Sequence, residues 1–406
     1  MPLIIRTGVL LAALFTLMPG RPLLANLTGI GADDTLTGAG RGPQVRIAVA
    51  KDIKAVTIKI SGGYEIINPL THELIEKDLG LGPAVVRKGI KGLLIGDKEV
   101  IAARIRFAGV RDVSVTVNGK ERRYRGFVDI LLNSEGKLIV INQLNVEDYI
   151  KGVLYHEVSN RWPMEALKVQ AVAARSYAFV QMLAMVKKDY DVTNDIYSQV
   201  YGGLTSERYR TNLAVDETKG EVLTFDGKVL PTYFHATCGG HTEDSAELWP
   251  KQSLSPLKGV RCIYCRESPH YFWKRNVRLK DIQDKLNAKG HDIGLIEDIS
   301  VTKRNNSERI LSLVITDRTG KQLTISGKDF REIVGPNLIR SNNYFIVMQG
   351  YYCDFIGKGW GHGVGMCQWG AQGMSTQGLT YDKILQFYYP GSAISKAKGS
   401  DPIKAF

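Results

Sequence analysis

From residue 45 onward the chain alternates short apolar runs with turn residues. The runs 45–50, 55–60, 113–117 and 127–132 have the length and spacing of half-buried strands. Gly62-Gly63 and Asn118-Gly119 fall between such runs and read as turns that separate them. Asn-Gly in particular is a hairpin signal, because both residues tolerate positive φ. Residues 45–140 are therefore expected to be a β-rich region.

The period changes at Asn145. Asn145 can cap a helix, and Glu147 and Asp148 fall in its first turn, where the helix dipole favours acids. Val146, Ile150, Val153 and Leu154 follow at helical spacing, and Glu157, one turn beyond Val153, continues the same stripe. A second helix is expected from Pro163 to about residue 187; within 169–186 its one charge is Arg175, so it must be buried nearly all round. Strand patterns return at 221–225 and 229–234 across Asp226-Gly227, and at 310–316 and 322–325 across Thr319-Gly320. A last helix over 380–388 ends before Pro390. The pattern predicts an α+β fold, with central buried helices packed on antiparallel sheet. Residues 276–345 are expected to form a separate lobe within 141–395.

Composition narrows the class. The chain has 406 residues, 44% hydrophobic and 9% aromatic, which excludes a disordered coil and permits a substantial core. The formal net charge is +12, spread along the chain, which suits anionic polymers in general. The first 25 residues have the pattern of a secretory signal peptide: a short n-region ending at Arg6, an apolar run over 8–18, and a small-residue cleavage site at Leu23-Leu24-Ala25. Beyond them no apolar run is long enough to span a bilayer, so no transmembrane domain is expected after cleavage. Removing the leader takes away Arg6 and Arg21 and no acid. Residues 26–44 are a Gly-rich linker. Export to the periplasm, cell envelope or exterior removes nucleic acid from the expected partners.

Three groups of residues carry candidate chemistry. A carboxylate that continues an apolar stripe, as Glu157 does, is expected to be partly desolvated and protonated near neutral pH, as a general acid must be. The alternative is a helix-end Glu paired with Arg161 or Arg175. The Gly-rich segment 359–370 carries His362, Gln368, Trp360 and Trp369, polar handles and flat apolar faces suited to sugar rings. Cys367 and His362 also lie close enough in sequence for a nucleophile–base pair. Lastly, Cys238-x2-His241 and Cys262-x2-Cys265 have the spacing of a structural zinc site, with disulfide pairing as the competing reading in an oxidising compartment. No cofactor is expected for catalysis.

Several stretches together resemble the stage II sporulation protein D family. They are Asp148-Tyr149-Ile150-Lys151-Gly152-Val153 leading to Glu157, Trp162-Pro163-Met164-Glu165-Ala166-Leu167-Lys168, and Gln170-Ala171-Val172-Ala173-Ala174-Arg175-Ser176-Tyr177-Ala178. Ser198-Gln199-Val200-Tyr201, Phe234-His235-Ala236-Thr237-Cys238-Gly239-Gly240, the segment 359–371, Phe330-Arg331, Arg340-Ser341 and the closing 384–391 match as well. The resemblance covers residues 140–392, and more loosely the β-rich region.

The resemblance implies an exported protein that acts on peptidoglycan. Some members of the family are lytic transglycosylases for glycan strands stripped of stem peptides, and others are described as enhancers of a cell-wall amidase. The family's catalytic Glu maps onto Glu157. A single carboxyl suffices when the muramoyl 6-hydroxyl attacks its own anomeric carbon, because the nucleophile is intramolecular. Hydrolysis would need a second carboxylate, for which Asp195 and Glu165 are available without any spacing that selects them. Arg175, Ser198, Gln199, Tyr201, His362, Gln368 and Trp369 are the expected substrate-binding residues. Peptide-free glycan exposes the lactyl carboxylate of muramic acid, and a cationic protein should attract it. Cys367 stands where the family usually has Ser.

Overall fold

The computed structural model describes residues 42–195 and 198–397. The leader read over 1–25, and residues 26–41 of the linker, lie outside them. The chain divides into two units and passes between them at 160/161, 173/174, 222/223 and 394/395.

The first unit comprises residues 42–160, 174–222 and 395–397. It begins with β1 (Gln44–Ile53), β2 (Ala55–Ile67), β3 (Leu74–Lys88), β4 (Leu93–Ile95) and β5 (Lys98–Val100). β6 (Arg104–Gly109), β7 (Val113–Val117), β8 (Lys120–Tyr124), β9 (Phe127–Leu132) and β10 (Leu138–Asn145) follow. Then come α1 (Val146–Glu157), α2 (Met164–Ala184), β11 (Val192–Thr193), α3 (Tyr209–Glu217) and β12 (Glu221–Phe225); the division crosses α2 and also β12, whose residues 223–225 belong to the second unit. Among the described residues β1 to β11 make one large sheet in the order β11-β1-β10-β9-β6-β2-β3-β4-β5, with β7 on β2 and β8 on β7. Its pairs are antiparallel except β1 with β11.

Turn chemistry explains the local geometry. Asn118 and Gly119 have φ of 49° and 74°, and they join β7 to β8 with Val117 opposite Lys120. Gly62-Gly63 does not end a strand, contrary to the expectation above. It forms a bulge inside the long strand β2, with Gly62 at φ 101°. The bulge lets one strand change partners: residues 57–60 pair with β7 and residues 64–67 with β6.

α1 packs on β1, β10 and α3. Val45, Ile47, Val140 and Ile141 of the sheet and Tyr149, Ile150, Val153 and Leu154 of the helix are fully buried. At roughly 1.5–3 kcal/mol for each large apolar side chain buried, this stripe is the main anchor of the helix. α2 is buried without interruption from Val169 to Phe179, as its composition requires, although Leu183 emerges with 39% of its surface exposed.

The second unit comprises residues 161–173 and 223–394. Its elements are β13 (Lys228–Val229), β14 (Phe234–His235), α4 (Ser245–Leu248), β15 (Phe272–Arg278), α5 (Leu279–Asn287), β16 (Ile296–Arg304), β17 (Ile310–Asp317) and β18 (Gln322–Ser326). They continue with α6 (Gly327–Val334), β19 (Tyr344–Gln349), β20 (Tyr352–Lys358), β21 (Met366–Cys367), α7 (Gln368–Thr376) and α8 (Tyr381–Tyr388). The run 229–234 is not one strand, because Pro231 supplies no N–H. β13 stays on β12, and β14 pairs in parallel with β21, His235 opposite Cys367.

Two antiparallel sheets, β15-β20-β19 and β16-β17-β18, share a core with α5 and α6. Trp273, Ile282, Leu286, Leu313, Ile315 and Phe330 are buried in it. The fold is thus α+β with a large sheet. Among the described residues no helix is long and apolar enough to cross a membrane.

Candidate functional site

In the first unit the chemistry centres on α1. Asn145 caps it, its side-chain oxygen accepting from Glu147 N–H at 2.8 Å. The Glu147 carboxylate accepts from Arg175 Nη2 at 2.7 Å, from Arg175 Nε at 3.0 Å and from Gly220 N–H at 3.0 Å. Arg175 also donates to the Glu221 and Val215 carbonyls at 2.9 and 3.3 Å, and is itself fully buried. It is therefore not a substrate-binding residue, and its carboxylate partner is Glu147 instead of Glu157 or Asp195. A guanidinium inside a helix core needs a carboxylate, and the first-turn acid of α1 supplies it.

Glu157 is the last residue of α1 and is half-buried. It stands one turn beyond Val153, at the carbonyl end of the helix. The Tyr149 hydroxyl is held far above its ordinary pKa, first by burial and then by neighbouring charge, including that of Glu157. Tyr149 donates to Gln199 Oε1 at 3.0 Å; Gln199 is buried, and its Nε2 has no hydrogen-bond partner among the described residues. Tyr201 is buried too, donating to Asn142 Oδ1 at 2.8 Å with its ring 5.3 Å from that of Tyr149. A Cβ on Gly152 would lie 2.4 Å from Tyr201 Cε2, so glycine is what allows this contact. Gln199 and Tyr201, expected on a groove wall, form instead the packed underside of α1. Ser198 remains half-buried, its N–H on the Asp195 carbonyl at 3.1 Å, and Asp195 accepts from the Thr193 hydroxyl at 2.9 Å.

His156 escaped the sequence reading. It neighbours Glu157, lies 2.6 Å from the Ser206 hydroxyl, and has its pKa lowered by burial. The available signal was a histidine in the last helical turn beside the candidate acid.

In the second unit the Gly-rich segment threads between other backbones. It bridges to Thr237 at Trp360 and to Glu243 at Val364. Gly365, at φ 69°, passes so close that a Cβ would sit 2.1 Å from the Tyr233 carbonyl. His362 Nε2 lies 2.9 Å from the Phe234 carbonyl, and its Nδ1 accepts from Val364 N–H at 3.1 Å. These bonds fix a neutral tautomer, and burial lowers its pKa to about 3. With both nitrogens engaged, His362 is no base for Cys367.

Around His362 stand His235, Tyr233 and Trp249, with ring centroids at 5.5, 6.4 and 5.6 Å. Trp360 is buried, under the Arg340 guanidinium and edge-on to His270. Trp369 is half-buried, edge-on to Trp162 at 5.3 Å. Gln368 is buried, donating to Gln170 Oε1 at 3.3 Å. Of the expected substrate-binding residues in this unit, His362 and Trp369 keep accessible surface. Glu165, weighed above as a second carboxylate, accepts from Tyr381 N–H at 2.8 Å and pairs with Lys168, so it caps α8.

Four buried cysteines converge in the same unit. The sulfurs of Cys238, Cys262, Cys265 and Cys367 all lie within 4.8 Å of one another. His241 is not among them; its Nδ1 is 2.6 Å from the Thr242 carbonyl. Cys367 takes the fourth place, brought in by the parallel pairing of β14 with β21, a long-range contact that local spacing cannot show. Burial pushes the Cys238 and Cys367 thiols up, while hydrogen bonding to Cys238 holds Cys262 and Cys265 down.

Comparison with known proteins places these features in a family. The profile described as "Stage II sporulation protein" matches residues 134–225, which include α1 and Glu157, and a domain of unknown function (DUF8618) matches residues 257–365. Stage II sporulation protein D of Bacillus amyloliquefaciens is 31% identical, over 63% of this chain and 76% of its own. An uncharacterized protein of Brachyspira hyodysenteriae is 36% identical, over 84% of this chain and 90% of its own. The amidase enhancer of Bacillus subtilis is 27% identical, over 61% of this chain and 40% of its own. The chain belongs to the stage II sporulation protein D family.

Proposed function

We propose that the protein is an exported lytic transglycosylase that cleaves peptide-free peptidoglycan strands between muramic acid and glucosamine, with Glu157 as general acid and base. The observation that carries this reading is the position of Glu157, half-buried at the carbonyl end of an apolar helix stripe. Desolvation and the negative end of the helix dipole both disfavour the charged carboxylate there. Protonated Glu157 donates to the glycosidic oxygen as the bond to the muramoyl anomeric carbon breaks. The carboxylate then takes the proton of the muramoyl 6-hydroxyl as that oxygen bonds to the same carbon. The products are a free glucosamine hydroxyl and a 1,6-anhydromuramoyl end, and no water is consumed.

The intramolecular hydroxyl carries the advantage of a high effective concentration, so no second carboxylate is required. The engagement of Glu165 in capping α8 agrees with that economy. The excess of basic over acidic residues, which persists without Arg6 and Arg21, favours a strand whose lactyl carboxylates are uncovered. A second reading, a glycan-binding enhancer of a cell-wall amidase, is favoured by the similarity to the Bacillus subtilis amidase enhancer.

Peptide-free and peptide-bearing strands incubated with the wild type and with Glu157→Gln separate the two readings. Anhydromuramoyl ends from peptide-free strands, made by the wild type alone, are the expected result. Binding by both proteins without any new ends would leave the enhancer reading.

A further inference from the structure

The four-cysteine cluster lies outside the chemistry proposed for Glu157, and nothing in that chemistry uses it. We propose that Cys238, Cys262, Cys265 and Cys367 together bind one zinc ion as a closed structural site.

The geometry fits a tetrathiolate. Zn–S bonds of about 2.3 Å at tetrahedral angles put sulfurs roughly 3.8 Å apart. Here all four lie within 4.8 Å of one another, and Cys238 and Cys265 are 3.5 Å apart. All four side chains are completely buried. A soft, all-sulfur, tetrahedral donor set selects zinc over the oxygen-seeking cations. Four closed positions leave none for water or substrate, so the site is structural.

The surroundings are those of charged sulfur. Cys238 N–H points at Cys367 Sγ at 3.2 Å, and Gly370 N–H does so at 3.3 Å. The second of these places Cys367 as the cap of α7, where the helix dipole favours an anion. The Tyr388 hydroxyl lies 3.1 Å from Cys262 Sγ. Gly370 completes the cradle, because a Cβ there would stand 1.9 Å from the Tyr388 oxygen and 2.8 Å from Cys262 Sγ. Arg309 is buried behind the site and donates to the Cys238 carbonyl at 2.8 Å.

Binding replaces thiol protons by the metal and releases them to solvent; no group is oxidised. The ion would tie the turn after β14, the loop 262–265 and the start of α7 to one another. The Gly-rich segment carrying His362 ends at that last anchor, so its conformation would depend on the ion.

Elemental analysis of the full chain, purified without added metal, tests this. One equivalent of zinc is expected, with cobalt substitution giving the absorption bands of a tetrahedral tetrathiolate. Cys367→Ser should weaken zinc retention by at least roughly tenfold, the scale at which even outer partners of a metal act, while His241→Ala should leave it unchanged. Zinc bound equally well by a folded Cys367→Ser variant, or iron in place of zinc, would overturn the proposal. Should Cys367→Ser fail to fold, thiol counting on the wild type decides. With five cysteines in the chain, chelated and denatured protein without reductant should show five free thiols. Three or one would mean disulfides, and five thiols in a protein that never held zinc would also refute the site.

Discussion

The guanidinium of Arg175, wholly buried in α2, holds the carboxylate of Glu147 in the first turn of α1 at 2.7 Å. One contact thus fixes the N-terminal end of the helix whose other end is Glu157. Arg175→Met should destabilise the protein by about 3 kcal/mol or more, because the carboxylate is left desolvated without its partner. Arg175→Lys should recover part of that loss, since an ammonium replaces the charge without the fork of donors. Denaturant unfolding measures both. A variant of unchanged stability that has lost glycan affinity would return Arg175 to the substrate.

His362 predicts an acid-sensitive second unit. Its pKa is lowered to about 3 in the fold, from an ordinary value near 6.5. Between those values the unfolded chain binds a proton that the folded one refuses. The stability that the neutral ring contributes is therefore fully present above pH 6.5 and is lost as pH falls toward 3. His270, lowered to about 4 by burial, adds a loss in the same direction. Unfolding free energies measured across this range should slope upward with pH, and His362→Gln should flatten the slope.

Asp317 predicts a second, more acidic transition. One of its oxygens accepts from Thr319 N–H, the Thr319 hydroxyl and Lys321 N–H at 2.9, 2.6 and 3.0 Å; the other accepts from Gly294 N–H at 2.8 Å. Hydrogen bonding to Thr319 leads the causes that lower its pKa to about 2. A depressed carboxylate contributes stability above its unfolded value near 3.8, and that contribution disappears as pH falls toward 2. Amide exchange at Gly294, Thr319 and Lys321 should accelerate over that window, and in Asp317→Ala it should be fast at neutral pH.

The reaction proposed for Glu157 needs no second carboxylate. Asp195→Asn and Glu165→Gln should therefore keep the anhydro product, with rate changes that track any loss of stability. Product mapping at matched folded fractions is the check. A variant that folds and binds but no longer cleaves would reveal a second catalytic acid.

Local signals carried much of the fold. Asn145, Glu147 and the stripe from Val146 to Leu154 were legible because a helix start and its buried face are written within a dozen residues. Asn118-Gly119 was legible for the same reason. Gly62-Gly63 was not, since two glycines suit a bulge as well as a turn and the choice lies in the strands beside them. The burial of Arg175 followed from its helix, but its partner lies 28 residues away and left no local trace. Cys367 was visible as a departure from the family's usual Ser and as a neighbour of His362, but not as a fourth ligand. Its company with Cys238 depends on the pairing of β14 with β21, so spacing pointed to His241 instead. Gln199 and Tyr201 have the chemistry of a binding groove, and only packing shows that their polar atoms face inward.

In the proposed reaction Glu157 drives an intramolecular attack. Mass spectrometry of peptide-free strands cleaved in heavy-oxygen water distinguishes this attack from hydrolysis. Anhydromuramoyl ends that carry no solvent oxygen are expected, and none at all from folded Glu157→Gln. Reducing ends labelled by the solvent would mean hydrolysis with a second carboxylate, and unchanged cleavage by Glu157→Gln would remove the residue from the mechanism.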